Sequence, residues 1–148
     1  MENKEILSYL ANKFNLSSGT LNERMISQKA IYILQEMGLD TNYAFRWYLY
    51  GVYSNELAND FFIMGDNKLK DIELSEPQKI IIDKFGNFSK DNLNDPSFFE
   101  LVSSIIYLLR NNPSINKEEI FEKIIRLKSH LNDKKQFDII YSKLIKLL

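Results

Sequence analysis

The chain contains no cysteine. That excludes disulfides, thiolate metal centres and a cysteine nucleophile, and it fits a reducing compartment. Histidine occurs once, at His130. No motif surrounds it, so a nucleophile–histidine pair has nothing to build on, and a surface or helix-capping role is expected. Glycine is scarce as well. Gly19, Gly38, Gly51, Gly65 and Gly86 are scattered, and no glycine-rich phosphate loop can be made from them. The acidic groups of the polar connections, Asp66, Asp71 and Glu73 or Asp91 and Asp95, lack the spacing of a calcium loop and read as solvated charges. No apolar run approaches the roughly 18–20 residues that span a bilayer. The opening MENKEILSYLANKF is interrupted by charge, unlike a signal peptide. The expectation is a cytoplasmic protein off the membrane, with no metal, no cofactor and no catalytic residues.

What is present is ordinary for a soluble globular protein: 148 residues, 45% hydrophobic and 26% charged. One domain spanning residues 1–148, with a sizeable core, is the natural expectation. Nineteen basic side chains against 20 acidic ones leave a net charge of -1. Because each neutralised phosphate needs a cation, nonspecific nucleic-acid binding is disfavoured. The charge is unevenly placed, however. Residues 111–148 hold eight Lys or Arg against five Asp or Glu, a local excess of 8 − 5 = +3. A pair of solvated helix faces explains this excess, and a basic surface for an acidic partner or nucleic acid is the alternative.

Helical periodicity dominates the chain. Ile6, Leu7, Leu10 and Phe14 share a face of a first helix over residues 2–14. Thr20 and Glu23 have capping-box spacing and open a second helix, with Ile26, Ala30, Ile33, Leu34 and Met37 as its stripe and Gly38 as its stop. Ser54 caps a helix carrying Leu57, Ala58, Phe61 and Phe62. Ser75 with Gln78 starts the next, followed by Ile80, Ile81 and Phe85. Asp95-Pro96 opens a helix whose core face runs from Phe98 through Leu109. Asn116 with Glu119 begins another, carrying Ile120, Phe121, Ile124 and Leu127, and a last helix starts near Asp133. The fold class expected is mainly α, a compact multi-helix domain of six or seven helices.

Between Tyr43 and Tyr50 the period changes. Phe45, Trp47 and Leu49 alternate with Arg46, Tyr48 and Tyr50, which favours a short strand and a small β ribbon near residues 43–53, turning at Gly51. Alternation places Phe45, Trp47 and Leu49 inward and Trp47 in the core. The outward aromatic residues with Arg46 form the candidate partner-binding set, Arg46, Tyr48, Tyr50 and Tyr53, since Tyr and Arg are enriched at interface hot spots. Arg24, Gln28 and Lys29 form a second candidate set, structural or partner-binding. Gln28 and Lys29 are expected opposite the Ile26, Ala30, Ile33 stripe, pointing at the turn, with Lys29 or Arg24 clamping turn carbonyls.

The residues Arg24, Gln28-Lys29, Tyr32 and Leu34, followed by Trp47-Tyr48-Leu49-Tyr50-Gly51-Val52-Tyr53-Ser54, carry a family resemblance. The chain resembles the small uncharacterised YwgA-like proteins of bacteria and archaea, and more distantly the Panacea domains of SocA-like antitoxins. Phe99-Glu100-Leu101, the Ser103–Leu108 stretch and Lys128 ahead of the last helix are also similar, and the specific part of the likeness is residues 24–57. Val52 departs from the pattern, standing where proline is common. The resemblance implies a compact helical fold with a minor β ribbon, and for the Panacea relatives non-catalytic binding to a partner, typically a toxin being neutralised.

Three readings follow. The leading one is a non-enzymatic interaction module, an antitoxin-like or defence-associated adaptor that binds a partner protein, with a homodimer open to it through Phe61, Phe62 and the tyrosines. The second is a helix-turn-helix or winged-helix regulator using the basic C-terminal segment on DNA; it requires Lys117, Lys123, Lys134, Lys135, Lys143 and Lys146 to converge on one face. The third is an enzyme with a carboxylate- or lysine-based site.

Overall fold

The computed structural model describes residues 3–49 and 51–148. Tyr50, a candidate partner-binding residue, lies outside the described residues. Among those described there are seven α-helices and one two-stranded antiparallel sheet: α1 Asn3–Phe14, α2 Leu21–Glu36, β1 Arg46–Tyr48, β2 Gly51–Tyr53, α3 Asn55–Met64, α4 Glu76–Ser89, α5 Pro96–Asn111, α6 Lys117–Leu127 and α7 Lys134–Ile145. A 3-10 turn, Ser129–Leu131, links α6 to α7.

Local chemistry places the helix starts. Ser75 and Gln78 exchange hydrogen bonds in a complete capping box at α4, and Asn116 and Glu119 do the same at α6. Pro96 occupies the first turn of α5 behind an Asp95 cap. At α2 only half the expected box forms. Thr20 accepts from the Glu23 amide, while the Glu23 carboxylate accepts from the Ser17 hydroxyl instead. Gly38 follows α2 at φ +116°, a conformation in which any side chain would be strained.

Two helices make the centre. Residues Ser27–Leu34 of α2 and Phe98–Ile106 of α5 are buried without interruption, and the two helices pack chiefly on each other. A helix surrounded on all sides loses the one-faced pattern of a surface helix. This corrects the expected position of Gln28 and Lys29. They do not lie on a face opposite the core; they are inside it, because β2 and α3 cover the side of α2 that the apolar stripe leaves open.

The ribbon is shorter than the alternation suggests. It pairs Arg46 with Tyr53, Trp47 with Val52 and Tyr48 with Gly51. Gly51 takes φ +94°, a conformation in which any side chain would be strained, and its Cα packs against the Lys29 side chain, to which an added Cβ would come within 3.4 Å. Leu49, expected inward, is 81% exposed because it belongs to the turn and not to the pleat. Trp47 is half-buried, its ring tilted against Tyr107 of α5 with centroids 5.0 Å apart, so it borders the core without filling it. Phe62, Ile80 and Leu127 also leave their expected core faces for solvent, and Ile82 takes the inward position in α4.

Candidate partner-binding site

The hairpin is held from below by side chains of two segments, α2 and the chain just after α6. Gln28 fits its amide against the backbone of Ser54: Nε2 donates to the Ser54 carbonyl at 3.0 Å and Oε1 accepts the Ser54 N–H at 2.8 Å. Ser54 in turn caps α3 through its hydroxyl, which accepts from the Leu57 amide at 3.2 Å. One residue along α2, the Lys29 ammonium donates to the Val52 carbonyl at 3.4 Å. Beyond α6, the Lys128 ammonium donates to the Leu49 carbonyl at 2.9 Å and lies 5.8 Å from the centre of the Trp47 ring. Arg24 takes no part in this clamp; its guanidinium reaches the Ser18 carbonyl at 3.4 Å.

Beneath the hairpin lies one buried carboxylate, which Lys128 and His130 share. Glu100 of α5 accepts from Lys128 at 2.9 Å through one oxygen, and the other oxygen lies 2.6 Å from Nε2 of His130. Glu100 and Lys128 are both buried, while the His130 side chain is 57% exposed, so the surface role expected for it includes a bond to an interior acid. Lys29 is 1% exposed. Burial lowers its pKa to about 8; the nearby Glu100 charge opposes that shift and the Lys128 charge adds to it.

Glu100 and Lys128 were not among the residues assigned to a site from the sequence. A signal existed for the first: a single acid inside Phe98-Phe99-Glu100-Leu101-Val102 is expensive to bury and must be paired. Nothing nearby in sequence marks its partner, which lies 28 residues later.

Above Lys29, between the hairpin and the first turns of α2, the surface opens into a pocket of about 280 Å³. Its walls are largely apolar, from Leu21, Met25 and Val52, with Tyr48 and Leu49 on the hairpin side. Tyr48 and Tyr53 meet edge to face at 5.8 Å beside it. A smaller hollow of about 170 Å³ shares Arg24 and Tyr53 with the first and ends at Phe62, which is 83% exposed. Arg46 is exposed opposite Tyr53 in the ladder and does not line either hollow. The structure thus gathers Arg24, Lys29, Tyr48 and Tyr53 at the larger pocket and puts Gln28 in the wall of the smaller.

The basic C-terminal segment is organised differently. Lys117 pairs with Asp138 at 2.9 Å, and Lys134 with Asp138 at 2.9 Å and Glu118 at 3.1 Å. Two of the six lysines in question are therefore already opposed by acids on the same surface. Among the described residues no cluster of three or more metal-ligating side chains occurs, and no helix is long and apolar enough to cross a membrane. No protein-family model, curated protein or solved structure matches this chain.

Proposed function

We propose that the protein is a non-enzymatic interaction module, an adaptor of the antitoxin-like or defence-associated kind, and that it docks a partner protein on the hairpin face. The observation that carries this reading is the set of exposed apolar side chains Leu49, Tyr48 and Phe62 around two neighbouring hollows that meet at the half-buried Tyr53 and at Arg24. Large apolar side chains left in water beside a preformed hollow mark interaction surfaces. The kinship with the YwgA-like proteins, and distantly with Panacea domains, is part of the same proposal. Ion pairing of Lys117 and Lys134 speaks against the DNA-binding alternative, because phosphate contacts need cations that are not already engaged.

The test is a site-specific photo-cross-linker at position 49 in the native host, with a second one at the exposed Ile139 of α7 as control. The position-49 probe is expected to capture a defined protein that the control misses, and Tyr48→Ala or Arg46→Ala in that background should weaken capture without changing the circular dichroism. If both variants fold and keep the partner, while the wild type binds duplex DNA with a steep salt dependence, the regulator reading replaces this one.

A further inference from the structure

The Lys29 ammonium is the least satisfied charge in the interior. An ammonium has three N–H donors. Its one acceptor among the described residues is the Val52 carbonyl, at 3.4 Å, near the limit of a hydrogen bond. The only buried acid among the described residues, Glu100, is engaged by Lys128 and His130 at 2.9 and 2.6 Å. Lys29 and Lys128 against Glu100 leave an unbalanced positive charge under the hairpin. That charge forms part of the floor of the 280 Å³ pocket.

The rest of the pocket has the same sign. Among the described residues no carboxylate side chain lines it, and Arg24 stands in its wall. Leu21 and Asn55, the first residues of α2 and α3, also line it. Thr20 and Ser54 cap one amide at each start, the Glu23 and Leu57 N–H groups; the first amides of a helix have no partner within it, and each start keeps a partial positive charge. Gly51 adds access, since it puts no side chain between the turn and the lysine. The remaining wall is apolar. A volume at the low end of small-ligand pockets, whose range is about 300–1,000 Å³, excludes a dinucleotide and suits one apolar side chain with a carboxylate attached.

We propose that this pocket binds the C-terminal residue of the partner protein, with its apolar side chain against Leu21, Met25 and Val52 and its terminal carboxylate on Lys29, assisted by Arg24 and the α2 and α3 starts. The inference rests on the interaction reading above and narrows it to a partner ending in an apolar residue with a free carboxylate. Such an end brings the two features the pocket lacks, a negative charge and apolar bulk, on a single residue. Capture of chain ends by backbone N–H groups is a known recognition mode.

The probes are two acetylated tetrapeptides, Gly-Ser-Gly-Leu with a free carboxylate and the same peptide as its C-terminal amide, together with hexanoate. Each is titrated into the full chain and followed by amide chemical shifts. The free-acid peptide is expected to shift residues 21–25 and 51–55, and to bind at least tenfold more tightly than the amide. Lys29→Met should remove that preference. Equal binding of acid and amide, or no shift with either at millimolar concentration, overturns the proposal on wild-type protein alone. Hexanoate binding as tightly as the peptide also overturns it, in favour of a free small acid. A cross-linked partner that is lost with Tyr48→Ala, yet kept when its own C-terminus is extended by a polar tag, preserves the interaction reading and removes the chain-end one.

Discussion

Two carboxylates in this molecule each hold two basic side chains. Asp138 takes Lys117 and Lys134 on the surface between α6 and α7, and Glu100 takes Lys128 and His130 beneath the hairpin. The groups are alike and the distances nearly so. What differs is water. Around Asp138 solvent screens every charge, so the pairs lower the Asp138 pKa and raise that of Lys134 through hydrogen bonds while contributing little to stability. Around Glu100 the charges have been taken out of water, a cost recovered only while both partners are in place. The comparison teaches where to look for consequence: the paired Lys117 and Lys134 on the surface contribute little, whereas Lys29 and Lys128 inside the fold hold the hairpin carbonyls.

The largest expected effect is at the buried acid. Glu100→Ala leaves Lys128 without its counter-charge and Lys29 more isolated, and should cost about 3–5 kcal/mol in urea unfolding, the range for breaking a buried pair from one side. Loss of less than 1 kcal/mol would mean that water reaches Lys128, and the contrast with Asp138 would collapse.

Next comes the buried amine. Lys29 has a folded pKa near 8, against 10.5 when free. Below pH 8 folded and unfolded chains both hold the proton, so the folded state carries the full cost of the charge. Between pH 8 and 10.5 the unfolded chain binds more protons than the folded one, and stability from this group rises with pH. Lys29→Met removes the cost altogether. The variant should be more stable than wild type below pH 8, by up to about 3 kcal/mol, and the gap should close toward pH 10. Paired urea titrations at several pH values read this directly; a gap independent of pH would show that Lys29 is not strained as a cation. The gain in stability should accompany the loss of carboxylate preference, since the charge is retained at the cost of stability.

The smallest effect belongs to the surface. Asp138→Ala should leave the urea midpoint within error of wild type, and added salt should not separate the two. A clear drop would place Asp138 in the same class as Glu100.

Helix starts were legible in the sequence because their chemistry is confined to neighbours. The Ser75–Gln78 and Asn116–Glu119 boxes close over three residues, and Asp95-Pro96 acts on the turn that follows it. The ribbon near residues 43–53 was legible too, since alternation and a glycine turn are also local, although the face of Leu49 was lost where the pleat ended and the turn began. The hairpin's attachments were not legible in full. Lys128 reaches the Leu49 carbonyl across 79 positions, and Lys29 the Val52 carbonyl across 23.

The sequence by itself therefore determined the helical class, most of the helix starts and the ribbon. Tertiary structure alone decided that α2 is a central helix, that Gln28 and Lys29 are buried, and that Glu100 faces Lys128. The physical reason is that propensity, capping and periodicity act within a few residues, whereas the cost of a buried charge depends on which distant segments come to surround it.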